Sequence, residues 1–234
     1  MNLIADLHCH TIASGHAYST IQELIAAAQK KELEVIAITD HGISMNGSPD
    51  SYYFRNMASF PSIIDGVRVL KGIEANIIDF EGNTDMPEKT LELLDIVIAS
   101  LHDICIEPGT IKQNTNALIK ALENPNIDVI GHPDNPIFEF DLDEVVAAAK
   151  QYGKLLEMNN KSFYVRKGSE KYTKNIALAA KKYGTKICCG SDAHSSFEVG
   201  SFDIIKKIII DCDIPEEIII NTSKEKILNH LKIN

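Results

Sequence analysis

Apolar residues along this chain follow two periods. Short runs rich in Val, Ile and Leu recur at residues 3–7, 35–39, 67–75, 96–101, 129–131, 155–159 and 186–190. Strands buried on both faces read this way. Between the runs, apolar positions return every third or fourth residue over 110–122, 142–152 and 172–183, the stripe of a helix lying on a core. Ser19, with Gln22 three residues on, has the form of a capping box ahead of Leu24 and Ile25. Gly153 and Gly184 stand where the last two helices would end. Seven strand-then-helix units in series predict an α/β architecture with a parallel sheet. No linker, low-complexity tract or internal repeat interrupts them.

The histidines argue for closure of that sheet. Of the eight histidines, all but His230 sit at or just beyond the end of a predicted strand. His8 and His10 end the first strand and His16 follows in its loop. His41 follows the second, His102 the fourth, His132 the fifth and His194 the seventh. In a barrel all strand C-termini point to one face, where barrel enzymes place their chemistry; an open sheet would spread the same residues along a crevice. His230 has no such context and is expected near a helix end at the surface.

Within Asp6-Leu7-His8-Cys9-His10, residues two apart on a strand point the same way. Both imidazoles can therefore reach one ion while Cys9 faces the other side. Glu74 ends the third strand and Asp192 lies two residues before His194. A buried glutamate needs a counter-charge, and a carboxylate can bridge two cations through its two oxygens. Seven histidines and two carboxylates at one topological location predict a multinuclear metal site.

Composition narrows the function. The 234 residues are 44% hydrophobic and 24% charged, ordinary globular values that exclude disorder and suffice for a full core without disulfides. No run reaches the length of a membrane span, and the first residues do not read as a signal peptide. The net charge is −10, with Arg55, Arg68 and Arg166 the only arginines. That leaves little from which to build a nucleic-acid face. Five cysteines form no CxxC pair, so buried thiols in a cytoplasmic protein are expected.

The order of motifs resembles the PHP (polymerase and histidinol phosphatase) superfamily, in particular its YcdX-type phosphatases. The matching stretches are Asp6-Leu7-His8-Cys9-His10, Thr39-Asp40-His41-Gly42, Gly72-Ile73-Glu74-Ala75-Asn76, Gly131-His132-Pro133 and Gly190-Ser191-Asp192-Ala193-His194. Supporting stretches are His16-Ala17-Tyr18-Ser19-Thr20, Glu157-Met158-Asn159-Asn160 and Arg166-Lys167-Gly168-Ser169. The resemblance covers essentially the whole chain and implies one PHP domain over residues 1–234, folded as a distorted (β/α)7 TIM-like barrel. It also implies three divalent metal ions. One is held by His8, His10, Glu74 and Asp192, a second by Glu74 with His102 and His132, and a third by His16, His41 and His194. Zinc suits an imidazole-rich donor set best, with manganese and iron as alternatives.

The chemistry expected of such a centre is phosphatase chemistry. Two carboxylates bring about −2 of ligand charge against roughly +6 from three divalent ions, so the pocket is cationic and attracts a phosphate dianion. A metal-bridging water with a pKa lowered to about 7 supplies hydroxide to attack phosphorus. Arg166, with Lys161 or Lys167, is expected to clamp the phosphate. Asp6, Asp40 and Asp103 are expected to orient ligand imidazoles. A small phosphorylated metabolite is the expected partner, with neither nucleic acid nor membrane, and the isoleucines of 204–210 and 218–220 are either core or a homo-oligomer contact. Alternatives are a small-molecule phosphodiesterase, a histidinol-phosphate phosphatase and a non-catalytic metal-binding PHP domain. An amidohydrolase-type C–N hydrolase also uses His-x-His on a barrel strand, but its bridging lysine would fall where this chain has His102.

Overall fold

The structure is a computed structural model and describes residues 1–233. Strands β1 (Ala5–Asp6), β2 (Val35–Ile38), β3 (Ile63–Ile64), β4 (Val67–Asn76), β5 (Ile96–Ser100), β6 (Val129–Ile130), β7 (Leu155–Asn159) and β8 (Ile187–Gly190) make one sheet. Its order is β1-β2-β4-β5-β6-β7-β8, with β3 off the path. Every pair along the path is parallel, and β3 folds back antiparallel on β4. Around the sheet run α1 (Ile21–Lys30), α2 (Ser51–Arg55), α3 (Glu88–Leu91), α4 (Ile111–Glu123), α5 (Leu142–Tyr152), α6 (Ser162–Val165), α7 (Ser169–Tyr183), α8 (Asp203–Asp211) and α9 (Lys224–Leu231). This is the TIM-like α/β barrel that the sequence pattern predicts.

Two apolar clusters follow from the strand period of two. Ile36, Ile38, Val69, Ile73, Val97, Ala99 and Met158 pack with residues of the surrounding helices. Their neighbours Val35, Ala37, Leu70, Ile96, Ile98, Val129, Leu155 and Cys188 form a second cluster, which fills the barrel and is closed below by Ile220 and Ile227. Continuing the inward set along β4 leads from Leu70 to Glu74. Along β7 it leads from Leu155 to Glu157. The same alternation that fills the barrel therefore aims carboxylates into its upper end.

Two details of the helices differ from what the sequence predicts. Thr20, not Ser19, caps α1: its side chain accepts from the Glu23 amide, and Glu23 accepts from the Thr20 amide at 2.7 Å. The Ser19 hydroxyl instead accepts from the Ser196 amide at 2.9 Å, tying the two loops together. Helix α7 begins at Ser169, before residue 172, directly after Gly168 with φ 95°. Ile205, Ile208, Ile209, Ile219 and Ile220 are buried in the core, whereas Ile210 is exposed. Cys9, Cys188 and Cys189 are buried free thiols; Cys105 and Cys212 are half-buried.

Strands β1 and β8 meet without a continuous ladder. At the upper end the chain closes through a parallel bridge of Cys9 with Ala193. There the His10 amide donates to Ala193 O (2.8 Å) and the Asp192 amide to His8 O (2.9 Å). Lower down, the wholly buried Asn221 side chain fills the gap. Its Nδ2 donates to Ala5 O (2.9 Å) and Cys189 O (2.8 Å), and its Oδ1 accepts from the Cys189 amide (2.8 Å). One amide side chain thus does the work of a strand rung.

Asn221→Asp keeps the acceptor, loses both donations and buries a charge. We expect a loss of about 3 kcal/mol, since each unsatisfied buried group costs about 1–3 kcal/mol. The thermal unfolding midpoint should fall by roughly 6–12 °C. A shift below 2 °C by calorimetry would show the seam to be held otherwise.

Candidate metal centre

The seven strand-end histidines, Glu74 and Asp192 converge at the upper mouth of the barrel. Glu74 is at the middle. Its Oε1 lies 2.8 Å from His132 Nε2 and 3.3 Å from His102 Nε2. Its Oε2 lies 2.7 Å from His41 Nδ1, 3.4 Å from His8 Nε2 and 3.5 Å from His10 Nε2. Asp192 Oδ1 adds contacts of 3.3 Å to His10 and 3.9 Å to His8. His16 Nε2 stands 3.1 Å from His194 Nε2, and its ring centroid is 5.0 Å from that of His41. His8, His10, Glu74, His132 and Asp192 are buried, His102 and His194 partly open, and His16 exposed. The cluster is therefore reached from the His16 side. His230 lies on α9, away from these strand ends.

Hydrogen bonds fix which ring nitrogens carry protons. His8 Nδ1 is 2.7 Å from Glu157 Oε1; a carboxylate only accepts, so the proton is on Nδ1. His10 Nδ1 is 3.1 Å from Ser14 Oγ, whose own proton goes to Asp40 at 2.6 Å. Ser14 therefore accepts from His10. His102 Nδ1 donates to Asn76 Oδ1 (2.7 Å) and His194 Nδ1 to Asp192 O (2.9 Å). All four rings present an Nε2 lone pair to the cluster.

The consequence is strongest at His8 and His10. Their two Nε2 atoms are 3.0 Å apart, both lone pairs when the rings are neutral, with two carboxylate oxygens beside them. Acceptors packed so closely repel unless a metal cation or an added proton lies among them. Four of the eight buried polar side-chain atoms without a hydrogen-bond partner among the described residues are here: His41 Nδ1, Glu74 Oε2, His132 Nδ1 and Asp192 Oδ1. Ligand atoms sharing one ion at bonds of about 2.0–2.2 Å stand about 3–3.5 Å apart, which is the observed spacing. The donors fit divalent metal.

Titration behaviour points the same way. Burial opposes charge on His8, but Glu157, Glu74 and Asp192 outweigh it and hold the ring well above the ordinary histidine range. Burial alone would raise Glu74, yet the His8, His102 and His41 charges bring it well below the carboxylate norm. Burial keeps His10 well below its usual value and takes His132 down to about 4, with His41 and Arg166 adding in turn. Neutral imidazoles are the ligating form, and the position beside His8 asks for positive charge.

The PHP domain family profile matches residues 6–167. The chain belongs to the PHP family. A protein named probable phosphatase from Acetivibrio thermocellus is 52% identical over 232 residues, covering 99% of this chain and 96% of that one. Another of that name from Caldicellulosiruptor saccharolyticus is 50% identical over 234 residues, covering 100% and 98%. Among solved structures, the histidinol phosphate phosphatase of Lactococcus lactis, crystallised with zinc, L-histidinol and phosphate, shares the fold. Its TM-score is 0.63 at 17% identity, over 91% of this chain and 95% of that one.

The layer around the PHP cluster is partly other than the sequence suggests. Asp6 orients no imidazole: it accepts from the Ser191 and Gly200 amides at 2.9 and 2.8 Å and so anchors the loop after β8. Asp103 is exposed and makes no hydrogen bond to a ring among the described residues. Asp40 does act on His10, through Ser14, while also accepting from Thr11 and Tyr53. The direct partners are Glu157 for His8 and Asn76 for His102, the latter held by Asp85. Ser100 donates to Glu74 Oε1 at 2.7 Å.

Among the expected phosphate contacts, Arg166 reaches the cluster, with Nη1 3.7 Å from Asp192 Oδ2 and 3.0 Å from Ser162 Oγ. Lys161 gives its charge to Glu198 at 2.7 Å, and Glu198 in turn accepts from the His194 amide. Lys167 is exposed, with no ion pair to the cluster among the described residues.

Gly190 lets Glu157 sit beneath His8. A Cβ there would strike Glu157 Oε1 and come within 2.6 Å of His8 Cβ. Glu157→Gln and Gly190→Ala should each lower metal affinity about 10–100-fold, as loss of a ligand's supporting partner does. Metal content by atomic emission after dialysis reads this directly; full retention in both variants would remove Glu157 from the site.

Proposed function

We propose that this PHP protein is a metal-dependent phosphatase that removes phosphate from small-molecule phosphomonoesters. Full-length relatives at about half identity support the phosphatase activity. The observation that carries the metal dependence is the 3.0 Å approach of two Nε2 lone pairs beside Glu74 and Asp192. On this reading His8, His10, Glu74 and Asp192 hold one divalent ion. Glu74, His102 and His132 hold a second, and His16, His41 and His194 a third. Zinc is the favoured ion for so much imidazole. Asp192 and His194 lie beyond residue 167 but complete the same cluster, which supports reading residues 1–234 as one PHP domain.

Bound divalent ions supply there a concentrated positive charge and an acidified water. The protein does the rest by placement. Glu157, the Ser14–Asp40 pair and the Asn76–Asp85 pair hold rings in the tautomer that leaves Nε2 free. Arg166 offers its guanidinium beside Asp192, where it can pair with two phosphate oxygens. Its position is set by Ser162, whose hydroxyl donates to buried Asp134 at 2.8 Å and accepts from Arg166. Burial raises the Asp134 carboxyl to about 6. Lys161 holds the loop of His194 through Glu198 and has no charge left for substrate.

The small-molecule preference rests on charge. The chain carries −10, and a phosphate pocket in an acidic surface repels a long polyanion while admitting one phosphate group.

Chelator-stripped protein should not hydrolyse p-nitrophenyl phosphate, and zinc or manganese should restore turnover together with three bound ions per chain by elemental analysis. Hydrolysis that survives stripping would end the metal-dependent reading, and restoration with a single ion would end the trinuclear one. Arg166→Ala should raise KM about tenfold or more, with a smaller change in kcat. Unchanged constants would show that Arg166 does not touch phosphate.

A further inference from the structure

The end of the barrel opposite the histidines carries a second concentration of charge. A cavity of about 530 Å³ opens where β7 and β8 begin and where α5 and α9 end. Lys150, Lys154, Lys186, Lys226 and Lys232 line it, with Glu217 the one lining carboxylate. None of the five lysines is in an ion pair with a carboxylate among the described residues. Elsewhere Lys120, Lys161, Lys174, Lys181 and Lys182 each have one.

Four of the five meet neutral partners instead. Lys150 donates to Gly184 O (2.8 Å), Lys226 to Glu216 O (3.0 Å) and Lys154 to Pro125 O (3.1 Å) and Ile127 O. Lys186 donates to His230 Nδ1 at 3.5 Å, and no carbonyl contact holds Lys186 or Lys232 among the described residues. An ammonium has three donors, so most of these N–H bonds are free to face the cavity. Burial lowers His230 to about 4, with Lys186, Lys154 and Lys232 adding to the effect. Burial likewise lowers Lys154, against the favourable charge of buried Asp128, and Lys232 adds to the lowering. In a chain with ten more acids than bases, five lysines lining one cavity with one carboxylate is a local excess, which buried Asp128 behind Lys154 and Lys232 relieves only in part.

We propose that this cleft binds a small organic anion carrying two or more phosphate groups. The formal charge of the lining, five lysines against Glu217, is about +4 and suits a tri- or tetra-anion. Ammonium groups act on phosphate as point charges without demanding planar geometry. The volume lies within the roughly 300–1,000 Å³ of small-molecule sites. Ile220 and Tyr152 supply an apolar wall for the organic part. The site is separate from the metal centre, yet β7 and β8 begin at it and lead to Glu157 and Gly190.

Inorganic triphosphate and a nucleoside triphosphate are the probes, titrated calorimetrically into metal-loaded protein with orthophosphate present to saturate the metal centre. We expect binding of both, tighter for the nucleotide. In Lys186→Gln/Lys232→Gln the affinity should fall tenfold or more while p-nitrophenyl phosphate turnover stays unchanged, which also reports the fold. Wild-type affinity in that variant, or loss of all binding once orthophosphate is present, overturns the proposal. So does equal affinity for an oligoglutamate, which would mark the cleft as a site for acidic peptide. A second measurement needs no variant. Bound triphosphate should slow acetylation of Lys186 and Lys232 at least threefold by mass spectrometry, relative to Lys167; equal rates overturn the proposal.

Discussion

The upper barrel depends on one crowding of acceptors. Glu74 brings two carboxylate oxygens among His8, His10, His41, His102 and His132, all within 3.5 Å. Ring protons are drawn outward, to Glu157, Ser14 and Asn76, so little is left inside to separate the lone pairs. Burying charge and acceptor together is costly without a counter-charge. The polar layer beyond the rings follows from this. Asp40 holds Ser14, Asp85 holds Asn76, and Glu157 is braced by Asn159 and the His132 amide. Each member keeps a proton on the outer nitrogen and the inner one bare.

The barrel supplies this crowding cheaply in chain length. Period-two alternation turns Leu70 into the floor and Glu74 into the centre of the same cylinder. Where regular backbone would miss, it is bent: His132 has φ 27° and Asp192 φ 56°, a left-handed region that a side chain enters at a cost of about 1–3 kcal/mol. Both residues point into the cluster. Strain of this kind persists where the surrounding contacts hold it, here the Glu157 bond to the His132 amide and the His8 carbonyl bond to the Asp192 amide.

Much of this was legible in the sequence. The apolar run at 155–159 is β7 residue for residue, and the helix pattern at 142–152 is α5. Histidines at strand ends could be placed on one face because parallel topology leaves no choice. The partners of those histidines could not. Asp6 and Asp103 are neighbours in sequence of His8 and His102, but their carboxylates go to backbone amides and to solvent. Glu157 reaches His8 across 149 positions because β7 and β8 stand beside β1 in the closed cylinder, a fact about pairing order that local spacing does not carry. The shift of the α1 cap from Ser19 to Thr20 has a similar cause: Ser19 is taken by a distant loop.

The seam between β1 and β8 gives the cluster a second significance. Among the described residues one β-bridge crosses its upper part, joining Cys9 to Ala193, and the side chains on either side of that bridge are His8 and His10 on one edge, Asp192 and His194 on the other. Whatever binds between His10 and Asp192 is thus also a clasp across the open joint of the cylinder. Folding and any loading of the cluster are then two views of one closure, since without a cation the first and last staves are joined by Asn221 below, by the Asp6 carboxylate on the Ser191 and Gly200 amides, and by a single β-bridge above.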